Sequence, residues 1–284
     1  KTKEVYPTAG LEITEFTEDK YTAIETDLHT YTNDYRNGTS FKDEYYSDKA
    51  TGLTSKQYTQ LKQKMLKSVY QNGGFYIGKY ETGIEDAPKT SGSSSTAPTE
   101  TPVIKQNAYP YNFVTCSQAQ TLASNMEHGD RTTSLLFGVQ WDLTLKYLET
   151  KGTSQADLKT DSTSWGNYKN NAWSITNENL KYAVYDDSNY TLGSWTTATE
   201  KSKTSSEQIL LSTGASESFS KMGIYDLAGN VWEWTLEYTS DTINTCAGRG
   251  GDYNFTGSIY PASYRGGFYT TNYNGGIGVR VALY

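Results

Sequence analysis

Histidine and cysteine are almost missing, with 2 of each in 284 residues. His29 and His128 have no second histidine at metal-binding spacing, so histidine-held metals are excluded and Glu127, His128 and Asp130 do not read as a catalytic cluster. Cys116 and Cys246 are too few for a disulfide framework and wrongly spaced for a zinc knuckle; they either pair or stay free and buried. No apolar run approaches a membrane span, and no signal peptide opens the chain. Because the sequence starts at Lys1 rather than Met, we expect a processed fragment, with room for a secretion or anchoring segment to have been removed. Positive charge is also scarce. With 25 Lys plus Arg against 32 Asp plus Glu, the formal net charge is −7, which repels a phosphate backbone and excludes nucleic acid as a partner.

What the chain has in quantity is tyrosine. Aromatics make up 14% of residues, 25 of them Tyr, although hydrophobic residues reach only 35%. Tyrosine offers contact area and a polar tip at low entropic cost, as binding loops require. Outside the tail the same side chains serve equally to fill an irregular core. The length suits one large domain, which we divide into an N-terminal extension, residues 1–72, and a main domain, residues 73–284.

Residues 1–52 are polar and threonine-rich, with a short helix expected near residues 21–31. Glu12, Glu15, Glu18 and Asp19 crowd together there, which reads as solvated loop rather than a metal site. Thr54 and Ser55 start a helix whose stripe is Tyr58, Leu61, Met65 and Val69, stopped by Asn72, Gly73 and Gly74. A strand through Phe75, Ile77 and Tyr80 follows. Residues 86–103 are rich in Ser, Thr and Pro and cannot bury enough surface to order themselves, so an exposed, mobile loop insertion is expected. Ala119, Leu122, Ala123 and Met126 predict a helix over residues 117–126. Phe137, Trp141, Leu145 and Leu148 predict a second within 134–149. Residues 152–213 show little periodicity and read as a long decorated loop.

Apolar content concentrates around GIYDLAGNVWEW, Gly223 to Trp234. Asp226, Gly229 and Asn230 specify a tight turn. In a following strand, period two sends Trp232 and Trp234 into the core and Glu233 to the opposite face. DLAGNVWEWT is followed by RGGDY at 249–253, PASYR at 261–265 and IGVRVAL at 277–283, with GGFYIGKYETG at 73–83 and TTSLLFGVQWD at 132–142 upstream. This ordered series is similar to the signature of the formylglycine-generating-enzyme type of C-type lectin fold. Within it, the chain most resembles variable proteins diversified by diversity-generating retroelements. The resemblance covers residues 73–284 and implies an α+β fold with two amphipathic helices, short irregular antiparallel strands and long loops. That fold hosts enzymes and binders alike.

The resemblance also implies a calcium ion at the turn, held by Asp226, Gly229, Val231 and Glu233 through carboxylate and backbone oxygens, which are suitable hard donors. In the alternative, Asp226 caps the turn and Glu233 pairs with an arginine such as Arg280. Formylglycine-generating enzymes hold copper with two cysteines shortly after the RGG motif. No cysteine follows Cys246 here, so no redox cofactor is expected and the chain is read as non-catalytic. Related sulfoxide synthases need a histidine triad, and many sugar-binding lectins need an EPN or WND motif; neither is present.

Between Gly250 and Gly278 there is no Lys, Glu, Gln, Met or Trp. These are the amino acids that no codon ending in a pyrimidine encodes. Mutating the adenines of AAC codons yields Asn, Tyr, Asp, Ser, Thr, Ile, Phe and Gly, very nearly the inventory present. Arg249, Gly250, Gly251, Gly257, Pro261, Ala262, Arg265, Gly278 and Arg280 match framework positions of the variable region, residues 249–284. Between them Tyr253, Phe255, Thr256, Ile259, Tyr260, Tyr264, Phe268, Tyr269, Thr271, Asn272 and Tyr273 are expected on display, as a face for a protein or glycan ligand on a host or target cell. The competing readings are a formylglycine-type modifying enzyme and a calcium-dependent sugar lectin.

Overall fold

The computed structural model describes residues 14–36, 38–126, 129–188 and 191–284; Glu12, Glu127 and His128, weighed above, lie outside the described residues. Six α-helices are present among them: α1 (Glu18–Tyr31), α2 (Asn33–Arg36), α3 (Asp48–Thr51), α4 (Ser55–Asn72), α5 (Cys116–Asn125) and α6 (Gly138–Thr150). Glu18 and Asp19 occupy the first turn of α1, where negative charge complements the helix dipole. Thr54 and Gln57 form a capping box on α4, which Gly73 ends at φ 70°. Thr115 and Gln118 cap α5 in the same way. The start of α6 is capped from far away in sequence. Its Gly138 and Val139 amides donate to the two oxygens of Asp43 at 2.6 and 2.9 Å.

The central sheet is built on Trp232–Thr239. Phe41–Lys42 and Cys246–Arg249 pair antiparallel with it, Arg265–Phe268 pairs with the latter, and Ile277–Gly278 runs parallel to its start. A second sheet orders Tyr76–Ile77, Val281–Leu283 and Thr133–Leu135, all antiparallel. Ile24, Leu28, Tyr58, Met65, Phe137, Trp234 and Leu236 share one core, and the Tyr58 hydroxyl donates to the Leu236 carbonyl at 2.9 Å. The N-terminal extension and the main domain therefore exclude water jointly. Residues 86–102 form no helix or strand, but Gln118 of α5 donates to the Ser93 and Thr96 carbonyls at 2.7 and 2.8 Å.

Residues 152–213 correct the sequence reading. Trp173–Asp186 and Thr191–Lys203 form a long antiparallel pair, extended by Ile209–Leu211. Register shifts between Thr176 and Leu180 and between Ala183 and Tyr185 put the buried Ile175, Leu180 and Ala183 at uneven intervals. Bulges of this kind erase the period-two pattern. The threonine-rich TTATE at 196–200 was the usable signal, since β-branched residues favour strands. The other strands are mostly short, and the architecture is the α+β lectin-type arrangement that the resemblance implies.

A buried ionic cluster joins these layers. Arg36 meets Asp142 at 2.7 Å and Asp43 at 3.3 Å. Arg249 meets Asp142 at 2.8 Å and Glu237 at 3.0 Å, and Arg265 meets Glu237 at 3.0 Å while also contacting Asp142. Cations and anions balance, which is what permits their removal from water. Burial alone would raise the Glu237 pKa, yet Arg265, Arg249 and Arg36 pull it down to about 2. Gly138 is required beside this cluster, because a Cβ there would run into the Glu237 side chain. Removing one member leaves the remaining buried charges unbalanced. Arg249→Met is expected to lower the unfolding free energy by about 3–5 kcal/mol, read from urea denaturation near pH 7. A loss below about 1 kcal/mol would put the cluster on the level of surface pairs.

Candidate functional site

The central turn is held by side chains together with backbone bonds from Asp226, Gly229 and Asn230 to Phe219, Gly250 and Asn167. Asp226, Gly229 and Asn230 adopt φ of 57°, 72° and 60°, the left-handed region that Asn, Asp and Gly tolerate best. Asn230 organises the surroundings. Its Nδ2 donates to Glu81 at 2.7 Å, and its Oδ1 accepts from Asn167 Nδ2 and Leu211 N at 3.0 and 3.1 Å.

The proposed calcium ligands take other partners. Asp226 accepts the Gly214 N–H at 2.6 Å, and Glu233, fully buried rather than on an open face, receives Arg280 on both oxygens at 2.6–3.0 Å. Arg280 also donates to the Gly78 and Tyr225 carbonyls at 2.8 and 2.7 Å. Among the described residues, no group of three His, Cys, Asp or Glu side chains is placed to hold a metal ion. Gly229 and Val231 remain at the turn, but with a guanidinium on the Glu233 carboxylate the set does not fit calcium. The arrangement favours the arginine alternative. Glu81, Asp226 and Glu233 nevertheless share one arginine, an excess of acid in a dry place. Burial pushes Asp226 up to about 7 and Glu81 well above the usual carboxylate range.

The tail leaves this turn along a rigid path. Gly250 and Gly251 take φ of 89° and 76°. The Arg249 guanidinium reaches the Tyr264 carbonyl at 3.2 Å as well as the carboxylates of the ionic cluster, and Arg265 donates to the Tyr35 carbonyl at 2.7 Å. The Ala262 carbonyl accepts the Trp141 indole N–H at 2.9 Å. These contacts use framework residues and backbone carbonyls, and no displayed side chain.

Most of the intervening side chains lie at the surface. Phe255, Ile259, Tyr264, Tyr269, Thr271 and Tyr273 are exposed, and Thr256, Tyr260, Phe268 and Asn272 are half-buried. Tyr253 is the correction: it is 1% exposed, packed with Leu210 and Val231, because its amide is tied to the Asn230 carbonyl at 3.1 Å. The face is organised around Trp232. Tyr260, Tyr264 and Phe268 stand edge-on to its ring at centroid distances of 5.3, 5.9 and 5.6 Å, and Phe255 stacks edge-on to Tyr260 at 4.8 Å. Trp232 was read from the sequence as core alone, whereas it also backs the display surface.

A cavity of about 580 Å³ opens beside this face, where the tail meets the long strand pair and the 86–103 segment. Phe255, Phe268, Asp252 and Asn274 line it from the tail, Tyr185, Leu192 and Trp195 from the strand pair, and Lys89 and Phe113 from elsewhere. None of the last five was singled out from sequence. Only Asp252, as a charge inside a tyrosine- and glycine-rich run, carried a signal. Burial pushes its pKa up to about 8, against the hydrogen bonds from Asn254. Cys116 and Cys246 are both free and buried in the main core, with Cys246 the cross-strand partner of Phe268.

A family model described as the sulfatase-modifying factor enzyme 1-like domain matches residues 7–284. No curated protein matches the chain. Among solved structures, Treponema denticola variable protein 1 is similar over 94% of this chain and 81% of its own, at 15% sequence identity and a TM-score of 0.29, too slight a likeness to bear on function.

Two outcomes follow from the acids. With Arg280 on Glu233, excess calcium or a chelator is expected to leave the melting temperature unchanged; a clear rise with calcium would restore the ion reading. Asp226 and Asp252 normally ionise at 3.8 and are raised to about 7 and 8. Their stabilising contribution is therefore whole below about pH 4 and is lost as pH rises through 7 and 8. Glu237, lowered from 4.5 to about 2, contributes fully above about pH 4.5 and loses its contribution as pH falls toward 2. Urea midpoints are expected to decline from about pH 5 to 8, less steeply in Asp252→Asn; a midpoint rising over that range contradicts the assignment.

Proposed function

The chain belongs to the sulfatase-modifying factor enzyme 1-like domain family, and from that premise we propose that it is a non-catalytic binding protein. Its tail, residues 249–284, is diversified by a retroelement and presents a variable tyrosine-rich face to a protein or glycan ligand on a host or target cell. The observation that carries this reading is a partition within the tail. Phe255, Ile259, Tyr264, Tyr269 and Tyr273, drawn from the restricted codon inventory, are exposed, while Arg249, Ala262 and Arg280 are fully buried. Mutation at the exposed positions alters a surface without opening the core. Large aromatics among small polar neighbours give such a face generality. Its place of work is outside the cell, on a cell surface or a virion.

The modifying-enzyme reading lacks its chemistry, because the tail holds no thiol and both cysteines lie in the hydrophobic core. The calcium-dependent lectin reading is weakened by Arg280 on Glu233.

Flanking DNA decides diversification. A reverse-transcriptase gene and a near-copy of the 249–284 coding segment, differing chiefly at adenines, are expected; absence of both would sink the proposal in favour of a static binder. A stability measurement tests the partition independently. Ile259→Ser, Tyr269→Ser and Tyr273→Ser are each expected to change stability by no more than about 0.5 kcal/mol. Tyr253→Ala should cost about 3–5 kcal/mol, as for other buried aromatics; equal costs at all four positions would remove the distinction between display and framework.

A further inference from the structure

Asp252 differs from the other buried acids. Asp43, Asp142, Glu233 and Glu237 pair with arginines, and Glu81 and Asp226 feel the charge of Arg280. Asp252 is 3% exposed and lines the cavity, yet no described residue pairs with it as a cation. One oxygen accepts the Asn254 N–H at 3.0 Å. The other lies beside Gly276, where any Cβ would collide with it. Lys89, also on the cavity wall, is engaged with Glu100 at 2.8 Å.

An acid buried without a counter-ion is costly, and a ligand that supplies the missing charge recovers that cost. The walls around Asp252 suit the same kind of group. Phe113, Trp232, Phe255 and Phe268 line the cavity, and aromatic faces attract ammonium and guanidinium ions in water-poor pockets. Its volume of about 580 Å³ falls in the range of small-ligand sites, ample for one long side chain. The chain's net charge of −7 favours the approach of a basic partner.

We propose that this cavity receives a cationic side chain, a lysine ammonium or an arginine guanidinium, presented by a protein ligand and neutralised by Asp252. The inference rests on the binding reading above and assigns its ligand a chemical class. Tail residues and the long strand pair then contribute jointly. The strand pair supplies the far wall, and Asp252 reads charge at the floor. Burial raises the Asp252 pKa to about 8, which favours the protonated acid near neutral pH; binding a cation releases that proton to solvent, and the carboxylate–cation pair forms. The titratable groups facing the cavity are Asp252, Lys89, Tyr185 and Tyr253, and the released proton is assigned to Asp252.

The test titrates the full chain with Nα-acetyl-lysine amide and Nα-acetyl-arginine amide, against the neutral norleucine and citrulline analogues, by calorimetry and tryptophan fluorescence. Saturable binding of at least one cationic probe is expected, at least tenfold tighter than its neutral analogue. Measured heats should depend on the buffer, as release of up to one proton near pH 7 requires. Asp252→Asn should abolish the preference for charge, and Phe255→Ala, at an exposed wall residue, should weaken binding severalfold. Absence of saturable binding up to about 20 mM, equal affinity for the neutral analogues, or no proton release would overturn the proposal; the last readout uses the unmodified chain and survives misfolding of a variant. Such a failure alongside the reverse-transcriptase gene and coding near-copy would reject only the cationic ligand. Failure of the DNA search as well would reject both.

Discussion

Six buried side chains from six stretches of chain meet at the central sheet: Arg36, Asp43, Asp142, Glu237, Arg249 and Arg265. Because desolvated charges are tolerable only when matched, this cluster demands that every contributing segment be in place together. It joins α2 and the segment after it to α6, and both to the strands that carry the tail. Asp43 couples it further to the first amides of α6. The backbone entering the display region, at Arg249 and Arg265, is thereby held by pairing that does not involve any displayed side chain.

That separation is what a changeable surface needs. The framework is held by arginine, glycine and backbone carbonyls, whose geometry is indifferent to what projects outward. The aromatic face rests on Trp232, which the central strand supplies and which lies outside the restricted codon inventory. Rings standing edge-on to a fixed indole have contact area without requiring a unique partner. The long strand pair adds a wall that the tail alone does not provide, and the cavity is lined from both.

Buried acid has two different solutions within this one chain. Beneath the central sheet, three carboxylates meet three arginines and Glu237 stays ionised to low pH. Around the turn, three carboxylates share Arg280, and Asp226 keeps its proton to about 7. The difference is one of charge balance rather than depth, since members of both groups are removed from solvent. The turn and the cavity therefore have acids near their switching range, whereas Glu237 beneath the tail is held ionised by its arginines.

Sequence alone determined much of the scaffold. The α4 stripe of Tyr58, Met65 and Val69, the stop at Gly73, the two later amphipathic helices and the turn at Asp226 to Asn230 are all consequences of neighbours a few residues apart. The lectin-type fold followed from the order of motifs, and the restricted composition of the tail marked a run whose side chains lie mostly at the surface. Tertiary structure decided the rest. Tyr253 and Phe255 belong to the same run and the same composition, yet one is core and the other surface because Asn230 ties down the Tyr253 amide. Ile175 and Leu180 belong to one strand, but bulges hid its period. Glu233 found Arg280 at a separation of 47 positions, and Asp252 found no arginine among the described residues. Local propensity is encoded in adjacent residues; burial and charge pairing depend on which distant segments arrive at the same place, and only the folded chain brings them there.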